Sequence, residues 1–270
     1  ENPIIGGFGK FPTREELIFL KERAIQFMPF VHKTVDLFCT LPYPDIPEDD
    51  TTYACCEPGN GKFGFWGDEI VLSTGDTFYR DDYKQVTNEF VVPHSYCKHS
   101  RYQGKPYSVG ALARINVLGE RLEGEAGNAF EKYFNNKWKV NPLYHNAAQA
   151  LEILYSFERI PQIVDEMLKY EDDPEPVSYD AASGKGTGLV EAPRGLLIHH
   201  HEVTDGKISH VDIVTPTAQN AEDIEHYCHV AAQKLLEQGQ EDQIRDRMDI
   251  VVRAFDPCIS CSAHMAKVEK

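Results

Sequence analysis

Two cysteines near the end of the sequence, Cys258 and Cys261, form a Cys-x-x-Cys motif directly after Asp256-Pro257. Two thiolates at this spacing can converge on one soft cation, and the preceding proline makes the start of the turn rigid. The motif alone also fits half of a structural zinc site, a thioredoxin-like redox pair or two core thiols. The sequence therefore predicts metal or redox chemistry in this segment.

The remaining cysteines do not supply a second such motif. Cys55 and Cys56 are adjacent, and Cys97 and Cys228 each stand alone, so a four-thiolate zinc site would need ligands from elsewhere. A thioredoxin-like motif belongs at the start of a helix after a strand near the beginning of a chain. Cys258 lies only twelve residues before residue 270, so this position argues against a thioredoxin-like redox pair. Seven cysteines in 270 residues is an odd number and too few for a disulfide scaffold, which favours a reducing, cytoplasmic compartment.

Two further motifs place polar side chains beside β-prone runs. Arg194 lies between a turn that contains a proline and a predicted strand, where a guanidinium is suited to meet an anion or a small polar ligand. Thr217, in the motif Thr-Pro-Thr, can donate a hydrogen bond from a fixed turn. Taken alone, the first motif is more typical of a surface arginine on a loop, and the second of an ordinary strand-to-helix turn.

The histidines are predicted to be structural or surface residues. Three consecutive histidines, His199 to His201, lie in a predicted strand, where neighbours point to alternate faces and cannot converge on one ion. The dispersed histidines are expected to be partly buried or exposed rather than ligands, and they are His32, His94, His99, His145, His226 and His229.

Helical periodicity and turn signals predict a helix-dominated α+β chain. A capping-box motif at Thr13 to Glu16 opens a helix over residues 14 to 38. Residues 40 to 110 have short β-prone runs, such as 62 to 66 and 69 to 73, and indicate strands and long loops. Residues 111 to 270 are predicted to carry helices and a β-hairpin around the metal site.

Within that last part, the predicted elements follow one another closely. Pro161 is expected to open a new helix rather than continue the preceding one. Asp-Gly between two β-prone runs predicts a hairpin with Arg194 and Thr217 at its two ends. The predicted ranges are helices over 142 to 158, 161 to 170, 221 to 237 and 241 to 254, strands over 195 to 203 and 208 to 214, and an exposed acidic loop over 171 to 186.

Composition excludes several classes of partner. The 27 basic and 43 acidic residues give a net charge of −16, which argues against binding to nucleic acid or anionic membranes. No uninterrupted apolar run approaches the roughly 20 residues of a membrane-spanning helix, so no transmembrane segment is expected. The apolar fraction of 41% supports a substantial core.

Together these motifs resemble the large, catalytic subunit of nickel-iron hydrogenases. The family's C-terminal signature, Asp-Pro-Cys-x-x-Cys-x-x-His, is matched in full by residues 256 to 264. The resemblance covers nearly the whole chain. Within the family, the sequence is most similar to the cytosolic methyl-viologen- or cofactor-coupled hydrogenases of methanogens and their bacterial relatives. Its further motifs are Glu-Ala-Pro-Arg-Gly at 191 to 195, Thr-Pro-Thr-x-x-Asn at 215 to 220, Val-Gly-Ala-Leu-Ala-Arg-Ile-Asn at 109 to 116 and Leu-Tyr-His at 143 to 145.

The resemblance implies reversible, heterolytic cleavage of H2 into protons and electrons at a Ni-Fe(CO)(CN)2 centre. It assigns Cys258 and Cys261 as two of the four nickel ligands, with Cys261 bridging to iron. Arg194 would lie over the open metal position, oriented by an ion pair with Asp256.

The resemblance also implies contacts for the diatomic ligands and for a second ion. Thr217 and the backbone at Ala192 and Pro193 would donate hydrogen bonds to the cyanides. A structural magnesium ion would be bound by His264, by the backbone carbonyl of Ile213 and by a glutamate of the family's N-terminal region.

The family's other two nickel-ligand cysteines lie in an Arg-x-Cys-Gly-x-Cys motif that this sequence lacks. We therefore expect the C-terminal part of a split large subunit, although a shortened sequence would look the same. The expected partners are an iron-sulfur small subunit, a downstream electron-acceptor subunit, and an N-terminal large-subunit chain with the missing cysteines.

Two alternatives from other classes remain open. One is a non-catalytic scaffold like the quinone-site subunit of respiratory complex I, which has lost the cysteines. The other is a zinc-binding interaction module, which needs two more soft ligands. The retained Cys258 and Cys261, with Arg194 and Asp256, count against the scaffold.

Overall fold

The computed structural model describes residues 3–4, 7–47, 51–170 and 182–263 of the chain. The helices are α1 (Arg14–Thr40), α2 (Ala111–Leu118), α3 (Gly124–Tyr133), α4 (Lys137–Val140), α5 (His145–Met167), α6 (Pro216–Glu237), α7 (Ile244–Ala254) and α8 (Ile259–Ser262). The strands are β1 (Pro3–Ile4), β2 (Gly7–Phe8), β3 (Thr52–Glu57), β4 (Glu69–Leu72), β5 (Thr77–Tyr79), β6 (Tyr107–Ser108), β7 (Gly184–Ala192), β8 (Gly195–Thr204) and β9 (Lys207–Val214).

Within these described ranges the strands form three separate sheets, which with the helices confirm the predicted helix-dominated α+β fold. The pair β1-β2 is antiparallel, and a four-stranded sheet has the order β5-β4-β3-β6 with β3 and β6 parallel. The third sheet is antiparallel with the order β7-β8-β9. No helix in the described ranges is both long and apolar enough to cross a membrane.

Helix α1 begins where the capping box places it and ends two residues beyond the predicted 38. The Thr13 hydroxyl accepts the Glu16 N–H at 3.2 Å, and the Glu16 carboxylate accepts the Thr13 N–H at 2.8 Å. One face of α1 packs against α5 and is buried through Leu17, Ala24, Val31 and Val35. The spacing of seven, seven and four residues places these side chains on a single stripe.

Pro161 does not open a new helix, because α5 runs through it without a break from His145 to Met167. A proline inside a helix removes one backbone hydrogen bond. Helix α5 nevertheless packs along α1, α2 and α3, and Val164, beyond the proline, is buried. Packing of its apolar face on both sides of Pro161 outweighs the lost hydrogen bond, so the prediction of two helices was wrong.

The β-prone run at residues 62 to 66 is not a strand, whereas the run at 69 to 73 supplies β4. Only Trp66 forms an isolated bridge, with Val190. Phe63 and Phe65 pack edge-on against Tyr155, at centroid distances of 4.9 Å and 5.6 Å. Aromatic packing holds this run instead of a backbone ladder.

The predicted hairpin is present as β8 and β9, joined through Asp205 and Gly206, which both have positive φ. A further strand, β7, pairs with β8 from Gly195 to Val203. Its first residues fall in the predicted acidic loop, of which residues 171–181 lie outside the described ranges. Arg194 therefore occupies the two-residue turn between β7 and β8 rather than a free end of the hairpin.

The last two long helices differ slightly from their predicted ranges. Helix α6 begins at Pro216, five residues before the predicted 221, because proline is well accommodated in a first turn. The predicted helix at 241 to 254 is a 3₁₀ turn, Glu241–Gln243, followed by α7.

Two glycines let the Arg194 turn pack onto the start of α2. Gly110 has φ +114° and Gly195 has φ +135°, a region that favours glycine. A Cβ on Gly195 would lie 2.7 Å from the Gly110 nitrogen, and a Cβ on Gly110 would lie 2.9 Å from the Arg194 carbonyl oxygen. The two backbones can approach this closely only because neither residue has a side chain.

We predict that Gly195→Ala lowers the free energy of unfolding by about 2–4 kcal/mol, from backbone strain and overpacking together. Gly188→Ala on β7 is the matched control, because a Cβ there meets nothing within 4 Å. The control should change stability by less than about 0.5 kcal/mol. Denaturant unfolding measures both variants, and equal effects would contradict the close approach.

Candidate metal centre

Cys258 and Cys261 are brought together by the single turn of α8. The Cys258 carbonyl accepts the Cys261 N–H and the Ser262 hydroxyl, each at 3.2 Å. The two sulfurs are joined as a disulfide, with the Cα atoms 5.4 Å apart. When reduced, the two thiolates therefore face a common point, as one soft cation requires. Cys258 is half-buried and Cys261 is exposed.

Thr217 anchors this turn to α6. Its side chain is buried, and its hydroxyl oxygen accepts the backbone N–H of Cys258 at 3.0 Å. A hydroxyl that accepts one hydrogen bond still has its own proton to donate. Thr217 thus positions the cysteine backbone while keeping a donor available.

Arg194 and Asp256 pair across the turn that precedes Cys258. Arg194 Nη2 lies 3.2 Å from Asp256 Oδ1, and Arg194 Nε donates to the Asp256 backbone carbonyl. Asp256 has φ +49°, so the backbone carbonyl and the carboxylate of one residue both accept from the guanidinium. Two contacts at different nitrogens fix the orientation of the guanidinium near the cysteine motif.

A buried ion network lies beneath the Arg194 turn, and no functional role was predicted for it from the sequence. The Arg114 side chain is only 1% exposed. Its Nη2 donates to Glu152 Oε2 at 2.7 Å, and its Nη1 donates to the fully buried carboxylate of Glu191. The one signal that could have found it is a charged residue in the apolar run Val-Gly-Ala-Leu-Ala-Arg at 109 to 114.

The same guanidinium holds the backbone of the turn. It donates to the carbonyl oxygens of Ala192 at 3.2 Å and Pro193 at 3.3 Å. These two residues therefore contact Arg114 through their carbonyls, and Pro193 has no N–H to offer a ligand. A backbone N–H donor in this turn can come only from Ala192 or Arg194.

Burial and ion pairing act in opposite directions on the carboxylate of Glu191. Desolvation raises the pKa of Glu191, while Arg114 and the Cys56 N–H, 2.7 Å from Glu191 Oε1, oppose that rise. Glu152 reaches the same cation from α5. The network is a buried charge cluster in which each partner depends on the others.

His145 is fully enclosed next to this network, deeper than the sequence indicated. Its ring lies 4.7 Å from the Phe255 ring, between centroids. Burial, and then the nearby Arg114 charge, lower its pKa to about 3, so the imidazole is neutral. Its position supports the wall behind the Arg194 turn.

Three further cysteines, Cys55, Cys56 and Cys228, are buried. Cys55 and Cys56 are fully buried in β3. Burial raises the pKa of both thiols, to about 12 for Cys56, and raises that of Cys228 to about 11. A thiol must lose its proton to bind a metal, so burial disfavours these three cysteines as ligands.

The other predicted positions are not brought to the cysteine pair by any described contact. Ile213 lies in β9 opposite His199, and His264 lies outside the described residues. His199 and His201 stack on each other, with ring centroids 5.7 Å apart, and His200 Nδ1 lies 2.9 Å from the Thr187 hydroxyl. These contacts agree with a structural role for the three histidines.

Comparison with known proteins places the chain in a family. Residues 68–264 match the family described as nickel-dependent hydrogenase. This chain belongs to that family. The alpha chain of sulfhydrogenase 1 from Pyrococcus furiosus is 36% identical over 269 residues, which cover 99% of this chain and 62% of the relative.

Other relatives give the same assignment. The F420-non-reducing hydrogenase vhc of Methanococcus voltae contains a chain that is 33% identical over 72% of this chain and 44% of its own length. The fold matches a crystal structure of an NAD+-reducing [NiFe]-hydrogenase with a TM-score of 0.79 and 24% identity, over 96% of this chain and 62% of the other. The chain thus spans less than two thirds of these relatives.

We predict that Arg114→Met lowers the free energy of unfolding by about 3–5 kcal/mol, because it leaves two buried carboxylates without their cation. The loss should shrink as the pH falls, since burial raises the pKa of Glu191 and protonation removes the unpaired charge. Arg121→Met is the control.

Arg121 pairs with Glu57 at 2.7 Å but is one third exposed, so its loss should cost about 1 kcal/mol or less. Denaturant unfolding of both variants at neutral and mildly acidic pH makes the comparison. A small, pH-independent loss in Arg114→Met would show that the network does not hold the fold.

Proposed function

We propose that this chain is the C-terminal part of a hydrogenase large subunit, which catalyses the reversible cleavage of H2 into protons and electrons. The observation that carries the proposal is the convergence of Cys258 and Cys261 beside the paired Arg194 and Asp256, in a member of the nickel-dependent hydrogenase family. The family and its hydrogenase relatives do not favour the scaffold alternative.

The donor set fits half of a Ni-Fe(CO)(CN)2 centre. Cys258 and Cys261 would hold it through two soft thiolates. When bound, the centre supplies the redox-active Lewis acid for the heterolytic cleavage of H2. Thr217 and the turn backbone at Ala192 would donate hydrogen bonds toward the cyanides.

Arg194 contributes a permanent positive charge at a fixed place. A guanidinium stays protonated at every physiological pH, and Asp256 holds it through its carbonyl and carboxylate. In our proposal this charge would stabilise negative charge that develops at the bound centre. Separately from Arg194, a structural magnesium ion would be held by the Ile213 carbonyl and His264.

The rest of the catalytic unit would come from other chain segments. We propose that a large-subunit segment with the two missing nickel-ligand cysteines covers this chain. Electrons would pass to an iron-sulfur small subunit, then to an acceptor subunit, in the cytoplasm. The exposed Cys261 and the 62% coverage of the Pyrococcus furiosus relative support such a segment.

Helix α1 offers that segment an apolar face. Phe30 and Leu37 lie 11 and 18 residues after Phe19, which places the three side chains on one stripe opposite the buried one. They are 59% (Phe19), 62% (Phe30) and 56% (Leu37) exposed. Because these three large apolar side chains are exposed on one face of the helix, we propose that α1 is the docking surface for that segment.

We predict that Cys258→Ser abolishes H2-dependent dye reduction by the purified complex, because a hydroxyl cannot replace the thiolate as a metal ligand.

We predict that Arg194→Lys keeps nickel and iron bound and slows turnover by at least ~100-fold, since an ammonium cannot make both contacts to Asp256. Arg245→Lys, a change at an exposed position, is the control. Normal turnover of Arg194→Lys at full metal content would remove Arg194 from the mechanism.

We predict that Phe19→Ser with Phe30→Ser reduces co-purification of the chain that carries the other two cysteines, while circular dichroism stays unchanged. Glu22→Gln, an exposed change on the same helix, should leave co-purification intact. Quantitative mass spectrometry of the tagged complex measures the ratio. An unchanged ratio in the double variant would place the partner elsewhere.

A further inference from the structure

His94, His99 and Glu225 form a cluster away from the cysteine pair. Their ligand atoms all lie within 4.8 Å of one another. His94 Nε2 is 3.1 Å from both oxygens of Glu225, and His99 Nε2 is 3.4 Å from Glu225 Oε1. The two histidines lie on the segment after β5 and the glutamate lies on α6, so the fold alone unites them.

We propose that this cluster binds a divalent transition-metal ion of the zinc class. Ligands bound to one tetrahedral zinc at about 2.1 Å are about 3.4 Å from each other. Two of the three pairs of residues already have such separations. His94 is more than half exposed, so a small rotation of its side chain can close the third.

His99 carries the independent argument for an ion. Its side chain is only 3% exposed, and its Nε2 has no hydrogen-bond partner among the described residues. The Glu225 oxygen is near enough for an ion pair but is not aligned for a hydrogen bond. A buried polar nitrogen left in this state costs about 1–3 kcal/mol, and a metal bond would satisfy it.

The chemistry of the donors selects the ion. Two imidazoles and one carboxylate suit zinc and its neighbours, whereas magnesium and calcium prefer oxygen ligands alone. Three protein ligands leave a fourth position for water, and the half-exposed Glu225 and His94 give an ion access from solvent. This proposal departs from the sequence prediction that His94 and His99 are partly buried or exposed residues rather than ligands.

The ion would brace the elements that support the cysteine motif. The segment that carries both histidines is already tied to α6 by Arg101, which donates to Glu222 at 2.6 Å. Cys97, between the histidines, pairs with Ala263 just after α8, and α6 also supplies Thr217. The site is therefore structural, and it holds whether or not the chain cleaves H2.

The test uses the full chain, in the complex in which it purifies, with Cys258→Ser and Cys261→Ser introduced to remove the cysteine pair of the candidate metal centre. After chelation and zinc titration, we expect one zinc per chain with nitrogen and oxygen neighbours in X-ray absorption. Adding H94Q or E225Q should weaken binding by at least ~100-fold. Adding H229Q, an exposed histidine on the same helix as Glu225, should leave binding unchanged.

Two outcomes would overturn the proposal. One is the absence of stoichiometric zinc in the cysteine double variant, and the other is equal binding in H94Q, E225Q and H229Q. H94Q changes an exposed side chain, so its folded state can be checked by circular dichroism independently of zinc. Zinc binding is measured without any H2 cleavage, so failure of this proposal is distinct from failure of the proposed function.

Discussion

The buried charge of Arg114 is the interaction on which the rest of the site depends. Its guanidinium, on α2, bonds to Glu152 on α5 and to Glu191 on β7, and so joins three elements that are distant in sequence. Taking these charges out of water is costly, and only nearly complete hydrogen bonding offsets that cost. The guanidinium also reaches the carbonyls of Ala192 and Pro193, which fixes the turn at the end of β7.

Polar contacts connect that turn and the start of α6 to the cysteine motif. Arg194 leaves the turn and holds Asp256, and Thr217 at the start of α6 holds the backbone of Cys258. Neutral His145 and the glycine contact at Gly110 support the turn from behind. The interior side of the half-site is thus rigid, while the side toward Cys261 is open to solvent, where the proposed partner segment would add its ligands.

Local signals predicted local structure well where one segment decided its own conformation. The capping box opened α1 at the expected residue, and Asp-Gly placed the β8–β9 turn correctly. The failures arose where packing from elsewhere decided. Pro161 continues a helix because α5 is packed on several sides. Strand β7 forms because its backbone pairs with the free edge of β8, and the sequence of β7 does not show that such an edge is present.

The sequence by itself determined which residues form the candidate site, because the cysteine pair, the arginine and the aspartate lie in short contiguous motifs. These motifs lie within the match to the nickel-dependent hydrogenase family. Only the tertiary structure decided which charges support them and which histidines meet a carboxylate. His94 and Glu225 are 131 positions apart, and Arg114 and Glu191 are 77 apart. No local pattern encodes such pairs, since they form only when separate helices and strands bury their apolar faces against each other.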